Sequence, residues 1–236
     1  MIPGVRGAPS GALGTPRLHL RITDSTNDRA RALAQAGAPR GTLVTAAQQS
    51  AGRGRQGRAW SAPAGRALLC SLIVGEPAPL MSLAAGVAVA ETVGPAARVK
   101  WPNDVLLDGR KVAGILVEGR PQEHWAVIGI GVNVAVRQTD FPPELRHRAG
   151  TLGLDPEAIE PTLAALLGAL ERWLTAPGDS VLSAVRDRDA LRGRPVSWAG
   201  GEGMAAGIDA DGRLLVETSE GRQALSAGEV HLGGGR

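Results

Sequence analysis

The stretch VLLDGRKVAGILVE, residues 105–118, constrains the fold more than any other. Two apolar runs flank Asp108-Gly109, a pair that tolerates the left-handed backbone of a two-residue hairpin turn. The runs must then pair antiparallel. With Asp108 and Gly109 at the centre, Leu107 faces Arg110, Leu106 faces Lys111, Val105 faces Val112 and Asp104 faces Ala113. Asp104 and Lys111 become diagonal neighbours on one face, about 7–8 Å apart at the backbone and within reach of long side chains.

Further strands surround this hairpin. RLHLRI (17–22) alternates, with Leu18, Leu20 and Ile22 on one half-buried face. TLVTAAQQ (42–49), ALLCSLIV (67–74), ARVKWP ending at Pro102, and HWAVIGIGVNV (124–134) read as strands. TDSTND is dense in capping side chains and leads into RARALAQAG, a helix that Gly37 ends. Residues 79–93 form an apolar helix, 157–175 an amphipathic one and 179–191 a shorter one. From Gly193 short strands alternate with Gly-rich turns, the pattern of a small all-β, barrel-like module. Residues 1–16 read as a loose tail.

Composition narrows the function classes. Of 26 basic residues only Lys100 and Lys111 are lysines, and Asn27, Asn103 and Asn133 are the only asparagines. In a chain that writes nearly every positive charge as Arg, such exceptions point to positions with a specific demand. The core must be aliphatic, since there is no Tyr and one Phe. The sequence pI of about 9.9 invites a nucleic-acid partner. The net charge, however, is only +3 over 236 residues, and no basic run concentrates it. A single cysteine, Cys70, excludes an internal disulfide and a Cys-based metal site; its apolar surroundings make it a core thiol. Neither a signal peptide nor 18 consecutive apolar residues is present, which fits a soluble cytoplasmic protein without a membrane partner.

Four segments carry polar chemistry. GRGRQG (52–57) matches a dinucleotide fingerprint formally, but the RAWSAPAG that follows cannot form the required helix. Arg53, Arg55 and Arg58 on a glycine frame suit closure over a carboxylate or polyanion; a solvated basic loop is the alternative. In the hairpin, Asp104, Lys111 and Asn103 can converge on one ligand, with Gly114 leaving backbone open. In GIGVNV (129–134) the glycines mark a close approach, by ligand or by packing, and a buried Asn133 needs partners. DSTN (24–27) is a capping cluster that also offers a polar pocket at a helix start.

Read in order, TDSTND, QQSAGRGRQGRAW, KWPNDVLL, GRKVAGILVE, IGIGVNV and the C-terminal GRPV…GIDADGRLLV…LSAGEV resemble the biotin protein ligases over residues 17–234. The resemblance implies an α+β fold: a central mixed β-sheet flanked by helices in residues 17–190, the biotin- and ATP-binding catalytic domain, and an SH3-like barrel in 191–236. It implies ATP and Mg²⁺ as co-substrate and metal, biotin as substrate, no tightly bound prosthetic group, and a biotin carboxyl carrier protein as acceptor. Lys111, Arg53 and Arg55 would be catalytic. Ser25, Thr26, Asn27, Gln49, Gly52, Arg53, Lys111, Gly114 and Ile115 would hold biotin. Arg55, Arg58, Trp60, Lys100, Asn103, Asp104 and Asn133 would hold the nucleotide, with Asp104 as a Mg²⁺ ligand. Some family members carry an N-terminal DNA-binding domain. At most 16 residues precede the first strand here, so neither operator binding nor a repressor role is expected. A homodimer is compatible with the family.

Two rival functions stay open at this stage. A lipoate ligase would share the fold, although the Arg-Gly loop with KWPND favours biotin. A nucleic-acid-binding module built on the loop would show steep salt dependence.

Overall fold

The computed structural model describes residues 12–232. A seven-stranded sheet runs in the order β1-β2-β3-β7-β6-β5-β4. Its strands are β1 (Arg17–Leu20), β2 (Leu43–Ala46), β3 (Leu68–Val74), β4 (Arg98–Lys100), β5 (Asp104–Leu107), β6 (Arg110–Arg120) and β7 (Trp125–Val132). Only β1 and β2 pair in parallel, so the sheet is mixed, as expected. The helices are α1 (Thr26–Gln35), α2 (Met81–Val93), α3 (Ile159–Leu174) and α4 (Gly178–Asp187). None of the described helices is long and apolar enough to cross a membrane.

One sheet face packs on α2 and α3. Leu68, Cys70, Leu72, Ala113, Ile115, Ile128 and Ile130 meet Ala85, Ala88, Val89, Leu163, Leu166 and Leu170 there. The other face receives α1 through Ala30, Ala34, Val44, Ile73 and Val127. Small residues on both sides let backbones approach closely, which replaces the aromatic filling this chain lacks. α2 is apolar around its circumference because it is buried twice. Its second face, with Leu83, Ala84 and Val87, joins Trp101, Val181, Leu182, Leu191, Val196 and Val216 in a core shared with the C-terminal strands.

Those strands are β8 (Pro195–Trp198), β9 (Gly201–Ile208), β10 (Leu214–Thr218), β11 (Gly221–Leu225) and β12 (His231–Leu232). They form an antiparallel sheet in the order β11-β10-β9-β8-β12. Among the described residues the expected barrel is not closed: β11 and β12 are its two open edges. The Trp101 indole N–H donates to the Gly212 carbonyl at 3.0 Å and ties this module to the strand that precedes Pro102.

The hairpin forms around Asp108 (φ 50°) and Gly109 (φ 74°), but its register departs from the sequence expectation. Leu107 faces Arg110 and Leu106 faces Lys111, as predicted; Val105 then faces Ala113 and Asp104 faces Gly114. Val112 is the extra residue of a β-bulge. A bulge reverses the alternation beyond it. Val112 and Ala113 both enter the helix-side core, and Lys111 is turned to the opposite face, which it shares with Gly114. In a regular strand Lys111 would have pointed with Ala113 into that core.

Two further expectations are corrected. β1 does not bury a face: Leu18 is 38% and Ile22 49% exposed, since β1 is an edge strand that α1 covers only near Leu20. Of the tail expected over 1–16, residues 1–11 lie outside the described residues. The rest is held: Leu13 packs on the main core, and the Gly14 N–H donates to the Gly41 carbonyl at 2.9 Å.

Candidate active site

A single cavity gathers most of the predicted site residues. Its wall includes Ser25, Thr26, Asn27, Gln49, Arg53, Arg55, Arg58, Trp60, Lys100, Asn103, Asp104, Lys111, Gly114 and Ile115. Gly52 and Asn133 stand outside it. A Cβ on Gly52 would strike the Trp60 carbonyl and lie 2.6 Å from Gln49 Nε2, so this glycine permits the loop's turn. Asn133 is buried behind the bulge. Its amide donates to the Gly150 carbonyl at 2.8 Å, and its carbonyl accepts the Leu152 N–H at 2.8 Å. It braces residues 150–152 against β7.

The start of α1 supplies a polar floor. The Thr26 N–H and hydroxyl both donate to Gln49 Oε1, at 2.7 and 3.0 Å. The Asn27 amide donates to Glu118 Oε2 at 2.8 Å, and Asn27 Oδ1 accepts from the Ser71 hydroxyl at 2.6 Å. Ser25, Thr26, Asn27 and Ser71 are all buried, and such groups persist in a core only when bonded. Ser71 and Glu118 were not singled out in the sequence. The single hydroxyl inside LLCSLIV was the available signal for Ser71, on the face opposite Cys70.

The glycines of β7 are explained by side chains. A Cβ on Gly129 would fall on the Asn27 carboxamide. One on Gly131 would lie 2.5 Å from Trp60 Cε2, and one on Gly114 3.1 Å from Trp60 Cζ3. Trp60 therefore lies across two glycines of adjacent strands. Lys111 Nζ sits 5.7 Å from the indole centroid, in cation–π range. The indole N–H is buried and has no partner among the described residues.

Cations dominate the rest of the wall. Asp104 lies between both lysines, with Lys111 Nζ 2.6 Å from its Oδ1 and Lys100 Nζ 3.8 Å from its Oδ2. Burial pulls the Lys100 ammonium below its ordinary range; Asp104 opposes this, while Lys111, Arg58 and Arg148 add to it. Arg53 reaches Asp28 at 2.5 Å and also pairs with Glu118. Arg55 donates to Asn103 Oδ1 at 3.3 Å, and Arg58 pairs with Glu229. Glu229 comes from the C-terminal module, which also places Gly228 and Val230 on the cavity wall. Nothing in the sequence pattern of that module signalled this contribution. Among the described residues no group of three or more His, Cys, Asp or Glu could hold a metal ion.

Comparison with known proteins accords with this geometry. Residues 19–134 match the model of the biotin/lipoate A/B protein ligase family, and 193–233 that of the biotin protein ligase C-terminal domain. The chain is 36% identical to a biotin–[acetyl-CoA-carboxylase] ligase of Paracoccus denitrificans, over 91% of this chain and 100% of that one. It is 33% identical to a bifunctional ligase/repressor of Bacillus subtilis, over 96% of this chain and 77% of the relative. The solved biotin protein ligase of Aquifex aeolicus in complex with biotin and ATP superposes with a TM-score of 0.79 at 28% identity, covering 92% of this chain and 98% of that one.

Proposed function

The chain belongs to the biotin protein ligases, within the biotin/lipoate A/B protein ligase family, and from that premise we propose that it activates biotin with ATP and passes it to one lysine of a biotin carboxyl carrier domain. One observation carries this proposal: a buried polar floor and a cluster of preorganised cations line the same cavity.

The floor suits an uncharged, hydrogen-bonding head group such as the biotin ureido ring. Ser25, Thr26 and Gln49 hold it. Asn27, saturated by Ser71 and Glu118, builds the floor instead of contacting the ligand. Gly114 and Ile115 form the wall beside the valeryl chain. Lys111 lies between the biotin carboxylate and the α-phosphate of ATP. A carboxylate oxygen attacks the α-phosphorus, the bond to the bridging oxygen breaks, and pyrophosphate leaves. Negative charge grows on phosphate oxygens throughout, so cations fixed in advance are the effective catalyst. Lys111, Arg53 and Arg55 serve there, and Arg58 and Lys100 meet the outer phosphates. In the second step the acceptor amine attacks the acyl carbon, AMP departs with the bonding pair, and the amine releases a proton.

Magnesium arrives as MgATP and, when bound, neutralises phosphate charge. A metal carried by substrate phosphates needs only one or two protein carboxylates, and Asp104 offers one. Two ammonium groups already engage that carboxylate, so its first role is to orient Lys111 and Lys100. Arg55 and Arg58 bond to Asn103 and Glu229 on the cavity wall, and Arg53 is held by Asp28 and Glu118 beside it. This favours a small-molecule site over a nucleic-acid surface. Steep salt-dependent binding of random DNA would count against it.

The test supplies MgATP with biotin or lipoate and follows pyrophosphate. Release with biotin is expected; release with lipoate and not with biotin would refute the assignment.

A further inference from the structure

We propose that Asp28 and Glu118 are positioning residues: together they latch Arg53 and hold the Arg-Gly loop against the cavity before any substrate binds. This rests on the biotin-binding reading above and assigns a role to two carboxylates that touch no substrate in it.

The loop is a narrow arch. The Trp60 N–H donates to the Gly52 carbonyl at 2.9 Å, and the Gly54 N–H to the Arg58 carbonyl at 2.7 Å. These bonds shape the arch but do not fix it to the sheet. Arg53 does that. One of its terminal nitrogens, Nη1, lies 2.5 Å from Asp28 Oδ1, and the other, Nη2, pairs with Glu118 Oε1. The two carboxylates come from different elements, Asp28 from the first turn of α1 and Glu118 from β6. Beyond the bulge, Gly114, Leu116 and Glu118 share one face of β6. The loop from Arg53 to Arg58 lines a small hollow with Leu116 and Glu118, so it lies along that face.

Arg31, one turn after Asp28 on α1, sits 3.4 Å from Asp28 and 3.7 Å from Glu118. Two guanidinium groups thus face two carboxylates, and the cluster is neutral without a ligand. Glu118 also joins the loop to the cavity floor. Its Oε2 accepts the Asn27 amide at 2.8 Å, while Oε1 takes Arg53. Asn27 continues through Ser71 to Thr26 and Gln49. One connected network therefore runs from the floor to the loop, and such networks are stiffer than isolated pairs. Glu118 is only 20% exposed, which limits screening of its charge. A loop fixed in advance spares biotin the cost of ordering it.

Glu118→Gln separates the latch from the floor. The oxygen that remains can still accept from Asn27, while the new amide N–H₂ facing Arg53 cannot accept at all. Asp28→Asn makes the same test from the exposed side of α1. The readout is tryptic cleavage after Arg55 and Arg58 in the full chain without substrates, with folding checked by thermal unfolding. Cleavage reports the open population when reclosing is fast. Each variant should be cut about 5-fold faster, the worth of a well-placed ion pair. Raising NaCl from about 0.05 to about 0.5 M should narrow the gap between wild type and variant, because salt weakens only the intact latch. Arg53→Gln should match the carboxylate variants, and adding Glu118→Gln to it should change little. Biotin, titrated by calorimetry, should bind Glu118→Gln more weakly by a similar factor. Wild-type cleavage rates in both carboxylate variants would overturn the latch, as would a full effect of Glu118→Gln in the Arg53→Gln background. Faster cleavage with wild-type biotin affinity would overturn the positioning role. Cleavage that shifts as expected in a chain that releases no pyrophosphate with biotin would instead refute the reaction and leave the latch standing.

Discussion

Gly131→Ala tests whether the cavity wall is built as described. The new Cβ would lie 2.5 Å from Cε2, 2.7 Å from Cζ2 and 2.8 Å from Nε1 of Trp60. Carbon atoms in comfortable contact sit about 3.5–4.0 Å apart, so the indole must move by about 1 Å. Inserting a methyl into a packed site costs about 1–3 kcal/mol. Trp60 borders the cavity and is only partly buried, so it can swing into open space, and the stability loss should sit near about 1 kcal/mol. That corresponds to a fall in Tm of about 2–4 °C for a chain of this size. The ligand meets the displaced wall. Losing the Lys111–indole contact, worth about 0.5–1 kcal/mol, and narrowing the cavity should together weaken biotin by about 10-fold or more. Gly129→Ala is the contrast. Its Cβ would meet Asn27, which Ser71 and Glu118 fix on two sides. No relaxation is open there, and breaking buried bonds at about 1–3 kcal/mol per group makes it the more destabilising variant. Thermal unfolding and calorimetric biotin titration read both effects. Wild-type Tm and biotin affinity in Gly131→Ala would refute the placement of Trp60.

Burial pushes the Cys70 thiol up to about 12. The unfolded chain therefore ionises first above about pH 9, and the native state loses about 1.4 kcal/mol per pH unit between there and about pH 12. Denaturant titrations of wild type and Cys70→Ala at pH 8 and pH 10 should show this loss only in wild type. Trp101→Ala removes a buried ring and its bond to Gly212. It should cost about 3–5 kcal/mol and expose the C-terminal strands to protease; a stability loss under about 1 kcal/mol would show that the two sheets do not share a core. Cleavage at Arg53–Arg58 should slow once biotin and ATP are added, and unchanged cleavage would argue against a loop that closes.

Much of this site was legible in the sequence because rarity and turn chemistry are local signals. Two lysines and two of the three asparagines in an Arg-rich chain lie on the wall of one cavity, and Asp108-Gly109 set the hairpin. What escaped depended on the third dimension. The bulge at Val112 has no composition of its own, yet it decides which face Lys111 occupies. Leu18 and Ile22 alternate like a buried strand, but burial of β1 depends on what covers an edge. Asn133 read as a ligand-facing amide, and its side chain donates to the Gly150 backbone carbonyl behind the wall. Gly228, Glu229 and Val230 reach the cavity only because two sheets share the core around α2 and Trp101.

The most direct measurement is a single turnover of biotinoyl-AMP formation by wild type and Lys111→Ala, with folding of the variant verified by thermal unfolding. Wild type should form close to one equivalent of the adenylate and release pyrophosphate with it. A cation placed at developing phosphate charge contributes about 10²–10³-fold or more, so Lys111→Ala should be slower by at least that factor while folded. A folded Lys111→Ala that forms the adenylate at nearly the wild-type rate would contradict the central role given to this lysine.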